Sequence, residues 1–246
     1  MKKQARLSFT IISLLFISCS SSIDNNEGVY DDAAVESLDK ISKVIGQLNS
    51  CSYTLNTFVK ELEEGGEYIE YSNTHDVYMR GPNKMHIYTI GSKGEKSYWS
   101  DGSSLAYYSY DRNIYDTVSA PETIIPAIDF LHNKYGIDFP ASNFFYPDFT
   151  DDILNNFNNV FYLGEVVIDD IECVAIEASN NENILSIWLH KDSALPYKMI
   201  LEKNKENAGF YVATFTNWRI NPALPDLLFE FEPPAGATRV KIEPIN

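Results

Sequence analysis

The feature that most constrains this chain is a long succession of short segments with period-two apolar patterning, cut apart by turn residues. Ser52–Lys60, Glu67–Met79, Lys84–Ile90, Lys96–Ser100, Leu105–Tyr110 and Asn113–Val118 are such segments. Between them stand Glu64-Gly65-Gly66, Gly81-Pro82-Asn83, Gly91-Ser92, Asp101-Gly102 and Asp111-Arg112. Alternate side chains of a strand point to opposite faces, so this patterning predicts strands with one face buried. Connections this short join antiparallel neighbours, because a parallel pair needs a crossover of a dozen or more residues. Five more segments follow: Val160–Ile168, Ile171–Ala178, Leu185–His190, Tyr197–Lys203 and Phe210–Trp218. Asp169-Asp170 suits a two-residue hairpin. An aromatic content of 13% fits a chain whose rings pack on pleated surfaces.

Four stretches break the pattern. Ala34, Leu38, Ile41, Ile45 and Leu48 recur at helical spacing, with Asp31 and Asp32 at the N-terminal end, where the helix dipole favours acids. Pro121 to Tyr135 reads as a second helix, with Pro126 near its first turn. Phe139 to Phe157 is aromatic-rich and broken by Pro140 and Pro147, which suits short helices and loops. Leu227 to Ile242 reads as irregular or edge structure around Pro233-Pro234. The expected fold is mainly β, with α-helical additions. It is an open antiparallel sheet of about eleven strands with a leading helix and a helical lid, and a sheet that long tends to curl.

The N-terminus carries a different signal. Lys2, Lys3 and Arg6 precede an apolar run from Leu7 to Ile17, and Ser18 precedes Cys19. The run falls short of the about 20 residues that span a bilayer. It fits a signal peptide over residues 1–18. The stretch Phe16-Ile17-Ser18-Cys19 resembles the bacterial lipobox, in which the cysteine thiol takes a diacylglyceryl group and becomes the mature N-terminus. Residues 19–28 are then a lipidated polar tether, and residues 29–246 form the folded domain. This implies a cell-envelope lipoprotein of the outer membrane. Whether it faces the periplasm or the cell surface stays open.

Charge excludes one class of partner. The net charge is −16, and removing Lys2, Lys3 and Arg6 with residues 1–18 takes it to −19. Such a surface repels phosphate backbones, so nucleic acid is not an expected partner. Peripheral docking on anionic lipid is disfavoured for the same reason, whereas a covalent anchor avoids the problem. His75, His86, His132 and His190 sit in no metal-ligand spacing, and no cofactor-binding motif is present. No nucleophile–base arrangement is visible, so the chain is not expected to be an enzyme. Cys51 and Cys173 suit small core residues. An exported compartment also permits a disulfide between them.

Several motifs line up in order. Gly81-Pro82-Asn83-Lys84-Met85 is followed by Trp99-Ser100-Asp101-Gly102-Ser103-Ser104-Leu105-Ala106-Tyr107-Tyr108. Then come Tyr135-Gly136-Ile137-Asp138-Phe139-Pro140, Leu195-Pro196-Tyr197-Lys198 and Phe229-Glu230-Phe231-Glu232-Pro233-Pro234. The series resembles a family of predicted periplasmic proteins of unknown function within the superfamily of the lipoprotein carrier LolA. The resemblance implies a half-barrel sheet under a helical lid, around an apolar cavity that in the carrier shelters lipoprotein acyl chains. The carrier's arginine directly before its Pro-Asn step helps to hold cargo. Gly81 stands there in this chain, with Arg80 one residue earlier, and a one-residue shift turns a strand side chain to the other face. A bulge at Gly81 would restore it.

The expected function is non-catalytic binding of a lipid or lipoprotein acyl chain in the concave sheet, by a protein held to the membrane through its N-terminal lipid. Arg80, Trp99, Tyr107 and Trp188 are the candidate ligand-binding residues. Ordinary cross-strand packing explains the aromatic ones equally well. The rival expectation is a surface lipoprotein that docks a protein or glycan through exposed tyrosines and has no internal cavity.

Overall fold

The computed structural model describes residues 28–62, 66–119, 121–204 and 209–245. Residues 1–18 and Cys19, with the tether up to residue 27, lie outside the described residues.

All eleven expected strands form. The first six are β2 (Ser50–Leu62), β3 (Tyr68–Arg80), β4 (Lys84–Gly91), β5 (Gly94–Ser100), β6 (Ser104–Ser109) and β7 (Ile114–Ser119). The remaining five are β8 (Asn159–Ile168), β9 (Ile171–Ser179), β10 (Asn183–His190), β11 (Pro196–Lys203) and β12 (Gly209–Ile220). Two two-residue strands, β1 (Val29–Tyr30) and β13 (Thr238–Arg239), bring the sheet to 13. The order is β1-β8-β9-β10-β11-β12-β2-β3-β4-β5-β6-β7-β13. Each run of consecutive strands is a meander, and the antiparallel pairing of β12 with β2 joins the two halves. The sheet is open: β1 pairs in parallel with the start of β8, and β13 with the start of β7.

Turn chemistry sets the register. Asp169 and Asp170 both hold positive φ, 52° and 63°, between the paired Ile168 and Ile171. A two-residue hairpin with this twist needs left-handed backbone at both positions. Asp101 closes the turn between β5 and β6, accepting hydrogen bonds from the backbone N–H groups of Ser103 and Ser104 at 2.8 Å. Asp169 also accepts a bond from the Tyr197 hydroxyl, whereas Asp170 takes part in no hydrogen bond or ion pair among the described residues and carries the conformational penalty of a side chain at positive φ. Asp170→Gly is therefore expected to raise stability by about 1 kcal/mol, read as a shift in the denaturant midpoint at unchanged slope.

The period-two pattern assigns the faces. On the inner face, Leu55 of β2 lies opposite His75 of β3 and Phe215 of β12, and Ile187 of β10 lies opposite Ile176 of β9 and Met199 of β11. The helices cover this face. Helix α1 (Asp32–Gly46) buries Ala34, Leu38, Ile41 and Ile45, the residues whose spacing predicts it. Helix α2 (Ile124–Tyr135) buries Ala127, Ile128 and Leu131. Helix α3 (Phe149–Asn156) and a 3-10 turn at Ser142–Phe145 fill the rest. Asp31 does not cap α1 through its side chain; its carboxylate accepts the Tyr162 N–H and ties α1 to β8.

The C-terminal segment is a strap. A 3-10 turn at Asp226–Phe229 and Phe231 lie on the outer face. Phe229 is fully buried there, and Phe231 packs on Trp99 and Tyr115 at ring separations of 4.9 and 5.6 Å. The chain then passes the β7 edge through β13 and reaches the lid, where the Ile245 N–H donates to the Lys134 carbonyl of α2.

Candidate functional site

The inner face under α2 is the surface on which an apolar ligand would lie. It is built from Tyr53, Leu55, Val77, Met79, Met85 and Ile87, roofed by Ile128, Phe139 and Phe145. The space left between them is about 20 Å³. A second gap, between Tyr98, Leu105, Tyr107 and Val118 below and Leu131, Tyr135 and Ile137 above, is also about 20 Å³. Each holds about one water, whereas ligand pockets run to several hundred Å³. The apolar cavity expected under the lid is thus not standing space in this structure. The cause is the aromatic content of residues 139–149: Phe145 stacks on Tyr53 at 5.8 Å, Phe139 meets Tyr98 at 5.3 Å, and Phe144 meets Phe215 at 5.6 Å.

The lid meets the sheet through apolar side chains, and its polar ties lie at its margins. The Ile124 N–H donates to the Pro82 carbonyl, and Ile245 holds Lys134 at the other end. His132 pairs with Asp138, and the Tyr146 hydroxyl donates to Asp129 at 2.6 Å; both ties run within the lid region. Displacing such a lid breaks apolar packing and few hydrogen bonds.

The inner face is not uniformly apolar. His75 lines the first gap as well, buried, with Nδ1 2.9 Å from Thr89 Oγ1 and Nε2 3.3 Å from Thr57 Oγ1. Burial, reinforced by the nearby Lys96 cation, lowers its pKa to about 4. Lys96 lies opposite Thr89 and Ser109, and so on the inner face. It takes part in no hydrogen bond or ion pair among the described residues. Burial lowers its pKa, and Lys93 adds to the effect. Lys93 stands 3.6 Å over the Tyr71 ring. An acidic protein thus keeps a half-buried cation beside its apolar interior.

The sequence-derived candidates do not converge. Tyr107 is on the inner face, opposite Tyr98 and Asp116. Trp99 is on the outer face, stacked on His86 at 4.8 Å and covered by Phe231. Arg80 also points outward. It donates to the Leu224 carbonyl, pairs with Asp226 and lies over the Phe229 ring, so it holds the strap. The turn Gly81-Pro82-Asn83 connects Arg80 directly to its partner Lys84, with no bulge there to turn it inward. Trp188 is on the outer face of the other half, opposite Lys198 and Ala175. Cys51 and Cys173 are both buried and free, one on each face of the sheet.

Lys96 was missed by sequence reading, although its inward direction follows from counting back two residues from Tyr98. The strap was missed as well, although Phe229-Glu230-Phe231 alternates. Beneath it lies a polar groove of about 250 Å³ between Trp99, Asp101, Ser104 and Thr117 on the sheet and Phe229 to Glu232 on the strap. Among the described residues, no group of three His, Cys, Asp or Glu side chains is placed to hold a metal ion. Nor is any helix among them long and apolar enough to cross a membrane.

Comparison with known proteins adds the following. A family model described as "Predicted periplasmic protein (DUF2092)" matches residues 34–243. No curated protein matches the chain. Among solved structures, it is similar to an uncharacterized conserved protein from Thermus thermophilus, at 13% identity over 85% of this chain and 98% of that one, with a TM-score of 0.48. It is similar to LprF from Mycobacterium bovis, at 14% identity over 80% and 99%, with a TM-score of 0.45. It is also similar to a LolA superfamily protein from Nitrosomonas europaea, at 13% identity over 80% and 97%, with a TM-score of 0.33.

Proposed function

This chain belongs to the DUF2092 family of predicted periplasmic proteins, and we propose that it is a membrane-anchored lipoprotein that takes an acyl chain between its sheet and its lid. Cys19 is the proposed anchor. The observation that carries the reading is an apolar inner face closed by aromatic side chains under a lid whose polar ties lie at its margins. The acyl chain replaces Phe139 and Phe145 against the sheet as the lid lifts. The apolar surface that the lid uncovers is covered again by the ligand, at roughly 25 cal/mol per Å². Lys96 then makes the ligand an anionic amphiphile, with its head group at the His75–Lys96 edge and its tail under α2. Tyr107 lines the neighbouring gap.

Palmitic acid and its alcohol test this, added to the purified protein and followed by displacement of a fluorescent fatty acid. Lys96→Met is expected to weaken palmitic acid about tenfold, the loss of one charge-assisted contact. The alcohol should bind equally to both proteins. Failure of either probe to bind the wild-type chain would sink the reading.

The groove under the strap favours a second reading. Trp99 and Phe231 border it together with Glu230 and Glu232, a lining suited to a polar protein or glycan partner. Glycan-array binding abolished by Trp99→Ala, with palmitic acid binding unchanged, would favour it.

A further inference from the structure

Among the described residues, seven of the twelve large hydrophobic side chains left exposed lie along one rim of the sheet. This rim holds the ends of β2, β4, β6, β9 and β11 and the starts of β3, β5, β7, β8, β10 and β12. Leu62, Tyr68 and Ile69 stand where β2 and β3 run past their neighbours, and Ile90 and Tyr110 flank the adjacent turns. Val29 is the sixth and Tyr30 the seventh, because β1 pairs with the start of β8 at this same rim. The chain therefore departs toward Cys19 from the rim that carries most of the exposed apolar side chains. On the opposite rim lie Val167, Ile220 and Leu227.

From this coincidence we infer that the rim beside Val29 is the surface that seats on the membrane, at head-group depth. The inference rests on the proposed anchor at Cys19. Eight residues lie between Cys19 and Gly28, and over those nine steps, at about 3.3–3.6 Å per residue, the anchor can stand no more than roughly 32 Å from the rim. An anchored domain this close to lipid meets it repeatedly, and the rim offers residues suited to the interface. Tyr68 and Tyr110 are amphipathic rings, and Lys60, over Tyr68, carries a long apolar stem. With a net charge of −16, attraction to anionic lipid is not the driving force, so the seat depends on apolar contact and works on neutral lipid. The rim also carries Lys93, which places the charged edge of the inner face next to the bilayer from which an amphiphile would come.

The lipidated full-length chain in neutral phosphatidylcholine vesicles tests this, with an environment-sensitive fluorophore on Ile69→Cys, Ile90→Cys or Ile220→Cys. Cys51 and Cys173 are buried, and burial raises both thiols, Cys51 to about 12, so they compete poorly for the label. Blue-shifted emission quenched by brominated lipid is expected at 69 and 90, and a water-like signal at 220. A chain that sediments with vesicles while all three labels report water, or report lipid equally, overturns the rim and leaves the anchor standing. Labels at 69 and 90 that are shielded but not quenched by brominated lipid mean that protein covers the rim, which also overturns it. A chain that does not sediment at all overturns the anchor, and the membrane seat with it.

Discussion

Taking the protein from pH 7.5 to pH 4.5 is expected to remove about 5 kcal/mol of folding stability, roughly half from each of two histidines. His75 and His86 are both held near 4 by burial, against 6.5 when exposed. Between those values the unfolded chain binds protons that the folded one does not, so stability rises with pH across the window. It is fully present above 6.5 and is lost as pH falls toward 4. The two residues differ in a way that separates their shares. His75 has a threonine at each ring nitrogen, whereas both ring nitrogens of His86 are buried between Tyr78 and Trp99 with no hydrogen-bond partner among the described residues. His86→Phe keeps a ring in the stack and removes two unsatisfied polar atoms. It should leave the protein about 1 kcal/mol more stable at pH 7.5 and halve the loss on acidification. Urea denaturation at the two pH values measures both effects. A pH profile unchanged by His86→Phe would mean that His86 is hydrated rather than buried under the strap.

Phe229→Ala is expected to cost about 4 kcal/mol, the usual cost of emptying a fully buried aromatic site. Phe229 has no exposed surface, and Arg80 covers its ring at 5.2 Å while pairing with Asp226. Losing the ring frees the strap from Arg80 and uncovers Trp99, so tryptophan emission should shift to the red before the sheet unfolds. Leu227→Ala is the matched control: two residues away and 75% exposed, it should change stability by less than about 0.5 kcal/mol. Equal effects of the two substitutions would show that the strap is not held where Phe229 places it.

Much of the fold was legible in the chain. The strand boundaries follow from period-two patterning and from turns such as Asp169-Asp170, whose left-handed backbone is a local requirement. The spacing of Ala34, Leu38, Ile41 and Ile45 marks the buried stripe of α1. Tyr107 and Trp99 could be put on opposite faces by counting alone. Which face each half of the chain would cover could not. Arg80 shows why: its direction follows from the strand, but its partners Leu224 and Asp226 lie more than 140 residues away.

What the sequence determined by itself is whatever depends on neighbouring residues: the strands, their turns, the alternation of their faces, and the lipobox-like run ending at Cys19. The tertiary structure decided what depends on volumes and directions summed over distant segments. The space under α2 is filled because rings from residues 139–149 meet Tyr53, Tyr98 and Phe215, three residues from three different strands. Lys96 became notable because no carboxylate among the described residues lies close enough to pair with it. Local rules say which way a side chain points, and only packing says what is there to meet it.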